Sequence, residues 1–338
     1  MSFGLTALGS ARGHRVRVEE AALSYTRDLR KLASWGYRSF HRADPDTGLV
    51  TLSVSAAEAA LERGGLAAED VDLIVVGITD IAEYLYWDVA AAIQGRLGAR
   101  NAETVLLNHA CASGVMAFDV VGGKFATHPA YSRALIVAAN RVCEPYWNRM
   151  ESNTSIGSDG AAAAVAVRGA TRNRWLCTET ITDGRFADIM RLEVGGAAAP
   201  WTGNSGGPQP VGDPVQRMKA FFRDDTRAML DFAELGVTRT VQVLERACGR
   251  AGVTPSAVKR VFHLNDNLTA LTGLAAALGI PLSRTNADIA VDAGHFGSAD
   301  QLLALEAQLG TGEIASGDII ALTSMGSGMH WSCTLLEI

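Results

Sequence analysis

The chain has 338 residues, 48% of them hydrophobic, with 30 basic and 36 acidic side chains and a net charge of −6. That content fills one large core or two of ordinary size and excludes a disordered chain, while charges of both signs spread along the sequence exclude a basic stripe for nucleic acid. The opening MSFGLTALGSARGHRVRVEE has no long apolar core behind basic residues, and no later run reaches the roughly 18 apolar residues of a membrane span, so a cytoplasmic protein without membrane contact is expected.

In chain order, SVSAAEAALERGG carries apolar residues at helical spacing after a serine cap. VDLIVVGI, TVLLNHA, RALIVAAN and AAAAVAVR then read as strands separated by alanine-rich helices. GGAAAPWTGNSGGPQPVGDP is rich in glycine and proline and reads as a surface loop. Within it GNSGGP, Gly203 to Pro208, is similar to the string around the nucleophilic serine of chymotrypsin-like proteases. Those enzymes are secreted, disulfide-bonded and all-β, so Ser205 is expected in a plain loop. A long helix is expected over FRDDTRAMLDFAELGVTRTVQVLERACGRAG, followed by strands at KRVFHL, DIAVDA, DIIALTS and SCTLLEI. The strand runs are nearly continuous rather than alternating, which is the pattern of an α/β protein with strands buried on both faces.

The order of elements occurs twice. VDLIVVGITD opens one series and VKRVFHLNDN a second, each passing through a helix, a strand running into a reactive-looking residue, another helix and two closing strands, which would set both reactive residues at strand-to-helix junctions. Cys111 ends the run in the first series and His295 in the second, and the next strands, near Leu135 and Ile319, each follow 24 residues later. Two duplicated α/β halves, residues 1–168 with Cys111 and 169–338 with His263 and His295, would bring both residues to one cleft.

Cys111 stands where a strand ends and a helix begins, where free N–H groups and the helix dipole favour thiolate over thiol. Cys143, Cys177, Cys248 and Cys333 read as small buried hydrophobes. The five cysteines form no CxxC pair, as expected of reduced thiols, and neither HExxH nor close His/Asp spacing suggests a metal. His109, two residues before Cys111, could face the same pocket; strand alternation leaves its direction open. Tyr84, Tyr86 and Trp87 lie at helical spacing, as core or interface residues or as a wall for an aromatic acyl group.

HACASG, GSDGAAAAVAV, FHLNDN, GHFGSAD and the closing GSGMHWSCTLLEI, in that order, resemble the thiolase superfamily, and within it ketoacyl synthase III enzymes and their acyltransferase relatives in natural-product pathways. The resemblance covers nearly the whole chain except the segment through Asp46 and the loop from about Gly195 to Pro214. It implies a thiolase-like five-layer fold of two α/β halves, a homodimer, and no cofactor beyond acyl-CoA or acyl-phosphopantetheine as substrate. It also implies an oxyanion hole from the Cys111 amide and Gly328, with Gly326 shaping the turn. Where the family has an asparagine, this chain has His295. His263 takes the family histidine's place if the strand ends alike; if Asn267 and Leu268 anchor the match, Leu264 falls there and Asp266 is the nearby polar group. Two arrangements stay open: Cys111 with His263 and His295, or Cys111 with His295 oriented by Asp266. Trp35 and Arg38, at altered spacing, are candidate coenzyme A contacts, and Asn267 and Trp87 candidate substrate contacts.

A base beside a thiol, with a partner fixing its tautomer, suits covalent acyl transfer. The expected function is therefore an acyltransferase of polyketide or other natural-product biosynthesis. It would move an acyl group from a carrier-protein or coenzyme A thioester through Cys111 to a hydroxyl, sugar or carrier-protein acceptor. The alternative is a starter-unit condensing enzyme acting by decarboxylative condensation with malonyl carrier protein.

Overall fold

The computed structural model describes residues 2–151, 154–201 and 214–338; GNSGGP and Ser205 lie outside the described residues. Its main sheet has nine strands. One leaf runs, in spatial order, through β5 (Glu103–Leu107), β4 (Leu73–Ile78), β6 (Arg133–Asn140), β7 (Gly160–Arg168) and β1 (Phe3–Arg12). The other runs through β8 (Arg174–Thr182), β11 (His330–Glu337), β10 (Ile319–Gly326) and β9 (Val258–Phe262). Only the pair Gly4 and Arg174 joins them, between β1 and β8.

The leaves repeat one pairing scheme. β4 is parallel to β6, β6 antiparallel to β7 and β7 antiparallel to β1; β9, β10, β11 and β8 pair in the same senses. In the second leaf the place of β5 is held by a single parallel bridge, Val261 to Thr285. The chain beyond it is helix α9 (Ala287–Ala293), so DIAVDA is not the expected strand. Ala287, Ala290 and Ala293 are its buried residues, a helical spacing that the short apolar run concealed.

Five layers result, as expected for the fold class. Helices α5 (Ser113–Thr127) and α10 (Asp300–Leu309) lie between the leaves, where Val115, Phe118, Leu302 and Leu303 share a core with Leu73, Val75 and Ile320. The opposite face of the first leaf, including Ile74 and Val76, is covered by α3 (Leu49–Gly64) and α4 (Val89–Leu97). The outer face of the second is covered by α7 (Thr226–Ala251) through Val243, Leu244 and Ala247. Adjacent β4 residues thus enter different cores, which is why their sequence is apolar throughout. Helix α3 starts at Leu49 after Gly48, ahead of the expected serine cap, because Leu49, Val50 and Leu52 belong to its buried stripe.

The segment before Asp46 folds as β2 (His14–Arg17), α1 (Val18–Tyr25), α2 (Leu29–Ser34) and β3 (Ser39–Arg42), a hairpin with two short helices in its connection. Helices α6 (Pro214–Phe221) and α8 (Leu268–Ala277) complete the set. No helix among the described residues is long and apolar enough to cross a membrane.

Candidate active site

β5 stops at Leu107, and the chain turns sharply before α5 begins at Ser113. Ala110 has φ of 48°, a left-handed conformation that a residue with a Cβ adopts only under local strain. Cys111 follows it in a single 3₁₀ turn at the head of the 15-residue α5. The turn is held from both sides: Ser113 Oγ accepts the His109 N–H at 2.9 Å, and Ser324 Oγ donates to the Cys111 carbonyl at 2.7 Å. Gly114 lets the two halves touch, since a Cβ there would lie 2.1 Å from the Ser298 carbonyl oxygen.

His295 reaches Cys111 from the second half, with Nε2 3.2 Å from Sγ. Its backbone is clamped to the first half, its N–H donating to the Ile156 carbonyl and its carbonyl accepting from Ser158 N–H, both at 2.8 Å. The ring's Nδ1 lies 2.5 Å from Asp300 Oδ2. Asp300 is fully buried and also accepts the N–H groups of Phe296 at 2.7 Å and Asn265 at 2.8 Å. Burial by itself would depress the imidazole; the Asp300 carboxylate and the Cys111 sulfur outweigh it and hold His295 well above the ordinary histidine value.

Neither partner expected for His295 is bonded to it. The orienting group is Asp300, which sequence reasoning passed over although it stands in the GHFGSAD motif, five residues beyond the histidine. The signal was an acid opening a helix after a glycine turn: the 3₁₀ turn Gly297–Ala299 reverses the chain and α10 begins with Asp300, which swings back under the ring. His263 instead pairs Nδ1 with Thr323 Oγ1 at 2.9 Å. It is buried, and desolvation, then the charge of His295, push its pKa down to about 4, so it is neutral at physiological pH.

Asp266 Oδ1 accepts the Asn267 N–H at 2.8 Å; burial pushes its pKa up to about 6 despite that bond. Asn267 is the cap of α8, accepting from Ala270 N–H at 2.9 Å and donating to the Thr154 carbonyl at 2.8 Å; it does not line the cavity described below.

The late glycine motif packs against the cysteine turn. A Cβ on Gly326 would lie 2.0 Å from the His109 carbonyl oxygen, so only glycine fits. Gly328, at φ of 138°, sits over the His330 ring. Gly326 and Ser327 line the cavity and Gly328 does not. His109 stacks edge-on against His330, ring centroids 4.7 Å apart, behind the turn and away from the cavity lining.

Cys111, His263, Asp266 and His295 share one cavity of about 1550 Å³. Its apolar wall includes Met218, Met229, Phe232 and Met325; Asp80, Asn108 and Glu144 supply polar groups elsewhere. Trp87 is on the wall, edge-on to Tyr84 at 5.1 Å. Trp35 and Arg38 are not. Trp35 is buried in a small core with Leu32, Phe40 and Ile156, and Arg38 is paired with Asp292 beside a separate groove. The coenzyme A contacts expected of them are therefore absent from the Cys111 cavity. Burial also raises the thiols of Cys177, Cys248 and Cys333, the second to about 11, which leaves them inert. No group of three or more His, Cys, Asp or Glu among the described residues is placed to hold a metal ion.

Known proteins resemble this chain both in sequence and in fold. Residues 248–338 match the family described as 3-oxoacyl-[acyl-carrier-protein] synthase III, C terminal. The β-ketoacyl-[acyl-carrier-protein] synthase III of Thermosynechococcus vestitus is 28% identical over 302 residues, 89% of this chain and 87% of that protein. That of Desulfotalea psychrophila is 29% identical over 296 residues, 87% and 86% of the two chains. Among solved structures, the acyltransferase ChlB3 superposes with a TM-score of 0.86 at 24% identity, covering 100% of this chain and 98% of its own. The priming β-ketosynthase of the R1128 polyketide pathway does so with 0.80 at 23%, covering 99% and 96%. Over nearly its whole length the chain is similar in sequence to β-ketoacyl-[acyl-carrier-protein] synthase III enzymes, and it shares the fold of these solved structures.

Proposed function

We propose that this enzyme is a ping-pong acyltransferase of natural-product biosynthesis. Cys111 accepts an acyl group from a carrier-protein or coenzyme A thioester and passes it to an oxygen, nitrogen or sulfur nucleophile of a small molecule, such as a hydroxylated or sugar-bearing scaffold, or of a carrier protein. The carrying observation is the line Cys111 Sγ, His295, Asp300, with contacts of 3.2 and 2.5 Å. His295 takes the thiol proton, and the Asp300 carboxylate stabilises the resulting imidazolium and fixes the tautomer. Attack of the sulfur on the donor carbonyl forms an oxyanion for the amides of Cys111 and the Gly326–Gly328 turn, of which Ser327 faces the cavity. After the donor thiol leaves with the proton, neutral His295 deprotonates the acceptor in the second half-reaction.

One observation favours condensation as a second reading. His263, neutral and lining the same cavity, offers a further N–H donor for an enolate. Incubation with radiolabelled malonyl carrier protein separates the two. Carbon dioxide release without acylation of an added acceptor would exclude the transferase; intact-mass detection of an acyl adduct on Cys111 that discharges to acceptor supports it.

The remaining assignments follow the same reading. β5 is a sheet edge whose Leu106 is 36% exposed and lines the cavity, so a second copy pairing along β5 would seal the site as a homodimer. The recurring strand scheme supports units at 1–168 and 169–338. Free thiols and the carrier-protein donor suit a cytoplasmic location, without nucleic-acid or membrane partners.

A further inference from the structure

The triad uses one proton acceptor, yet the cavity holds a second that the mechanism above leaves idle. Asp266 lines the same wall as Cys111 and His295. Its contacts are the Asn267 N–H at 2.8 Å, the Asn267 side-chain amide at 3.4 Å and the Thr154 side chain; it forms no ion pair among the described residues. Asp80, the other aspartate on the wall, is already committed to Ile81 N–H at 2.7 Å, Cys143 N–H at 2.8 Å and Trp147 Nε1 at 2.9 Å. The arginines on the wall are committed too. Arg149 is held by Asp159 and Glu144, and Arg191 by Asp188 and Glu193. A carboxylate with no ion-pair partner among the described residues, in a cavity whose arginines are already paired, is complementary to a ligand that brings its own positive charge.

We infer that the acceptor of the acyl group is a basic amine, bound as its ammonium ion and deprotonated by Asp266, so that the product is an amide. The inference rests on the acyl-enzyme reading of Cys111 and narrows its second half-reaction.

Proton balance carries the argument. A hydroxyl acceptor loses one proton during transfer, and His295 suffices. An ammonium acceptor must lose two. The first passes to the Asp266 carboxylate, freeing the nitrogen lone pair. The lone pair attacks the acyl-Cys111 carbonyl carbon, forming the C–N bond while the carbonyl π electrons move to the oxyanion. Collapse of the oxyanion breaks the C–S bond, Sγ leaves as thiolate, and the second nitrogen proton passes to His295 Nε2. The resting thiolate–imidazolium pair over Asp300 is restored, and Asp266 returns its proton to solvent. A carboxyl raised to about 6 is ionised at neutral pH yet basic enough to take that proton, as its task requires. The charged groups acting on Asp266 are His295 and Asp300 from the second half, and Tyr37 of the N-terminal segment feels the charge of both aspartates.

The test loads Cys111 from a panel of acetyl, hexanoyl and benzoyl thioesters, quantifies the adduct by intact mass, and chases it with cyclohexylamine or cyclohexanol near neutral pH. Amide formation is expected to exceed ester formation by about tenfold or more, the span of one hydrogen bond to a charged group. It should rise with pH through about 6. Asp266→Asn should bring the ratio near one and erase that limb, and Asp266→Glu should restore both. Equal or faster discharge to the alcohol in the unmodified enzyme, or an undiminished amine preference in Asp266→Asn, overturns the inference alone. Rates are normalised to loaded enzyme; if a variant does not fold, the pH limb and the amine-to-alcohol ratio of the unmodified enzyme decide. Failure to load Cys111 from any thioester overturns the acyl-enzyme reading, and the inference with it.

Discussion

Asp300 acts on the reaction only through His295, and its replacement reports on that coupling. Asparagine can keep the bond from Phe296 on its one carbonyl oxygen, but its amide nitrogen then faces the Asn265 N–H, and the charge that holds His295 up is gone. Asp300→Asn is expected to slow acylation of Cys111 by about 10⁴-fold, the size of effect seen when a triad carboxylate is neutralised, and to cost about 1–3 kcal/mol of stability for the unpaired Asn265 N–H. Rapid-quench intact mass gives the rate, and circular dichroism checks the fold. Asp266 also bears on stability. Its folded value of about 6 lies above the ordinary carboxylate value of 3.8. Its stabilising contribution is therefore full below about pH 4 and is lost as pH rises through about 6. Asp266→Asn should accordingly raise the Tm by a few degrees at neutral pH, a gain that shrinks toward pH 4, as thermal melts at several pH values would show.

Two elements meet at Gly114, and the contact is backbone against backbone. A Cβ placed 2.1 Å from the Ser298 carbonyl oxygen pushes α5 away from the turn that carries His295. Gly114→Ala should cost about 1–3 kcal/mol in urea unfolding and also slow acylation, because Sγ and Nε2 move apart. The pairing of Arg149 with Asp159 ties the segment after β6 to β7's approach. Both side chains are fully buried, and the guanidinium donates to both carboxylate oxygens, at 3.0 and 2.8 Å. Arg149→Met leaves Asp159 without that partner and should cost about 3–5 kcal/mol, read from the same unfolding curves. The expected elements that failed did so for a related reason. DIAVDA is too short for periodicity to separate strand from helix, and in the fold Ala290, with Ala287 just before the run, packs on Leu271 of α8, while Ala293 enters the central core. The resemblance made Trp35 a candidate coenzyme A contact; the hairpin connection instead folds it into a core with Phe40 and Ile156.

At the scale of the molecule, the unpaired edge of β5 is the feature most open to test. Tyr84, Leu85 and Tyr86, exposed in the connection from β4 to α4, share the cavity lining with Leu106 of β5. If two copies pair there, Leu106→Lys should shift the protein from dimer to monomer in sedimentation velocity and lower activity by exposing the site to water.

The alternation of strands and helices and the spacing that sets Cys111 and His295 each ahead of a helix and strand were legible in the chain, because periodicity and spacing are local properties that survive without a partner; the strand expected before His295 is helix α9. The choice of Asp300 over His263 or Asp266 beside His295, the burial of Trp35, and the gathering of Asp266 into the Cys111 cavity were decided only by tertiary structure. Each depends on which distant segments come within hydrogen-bonding or van der Waals distance, and such contacts are set by the docking of the two halves.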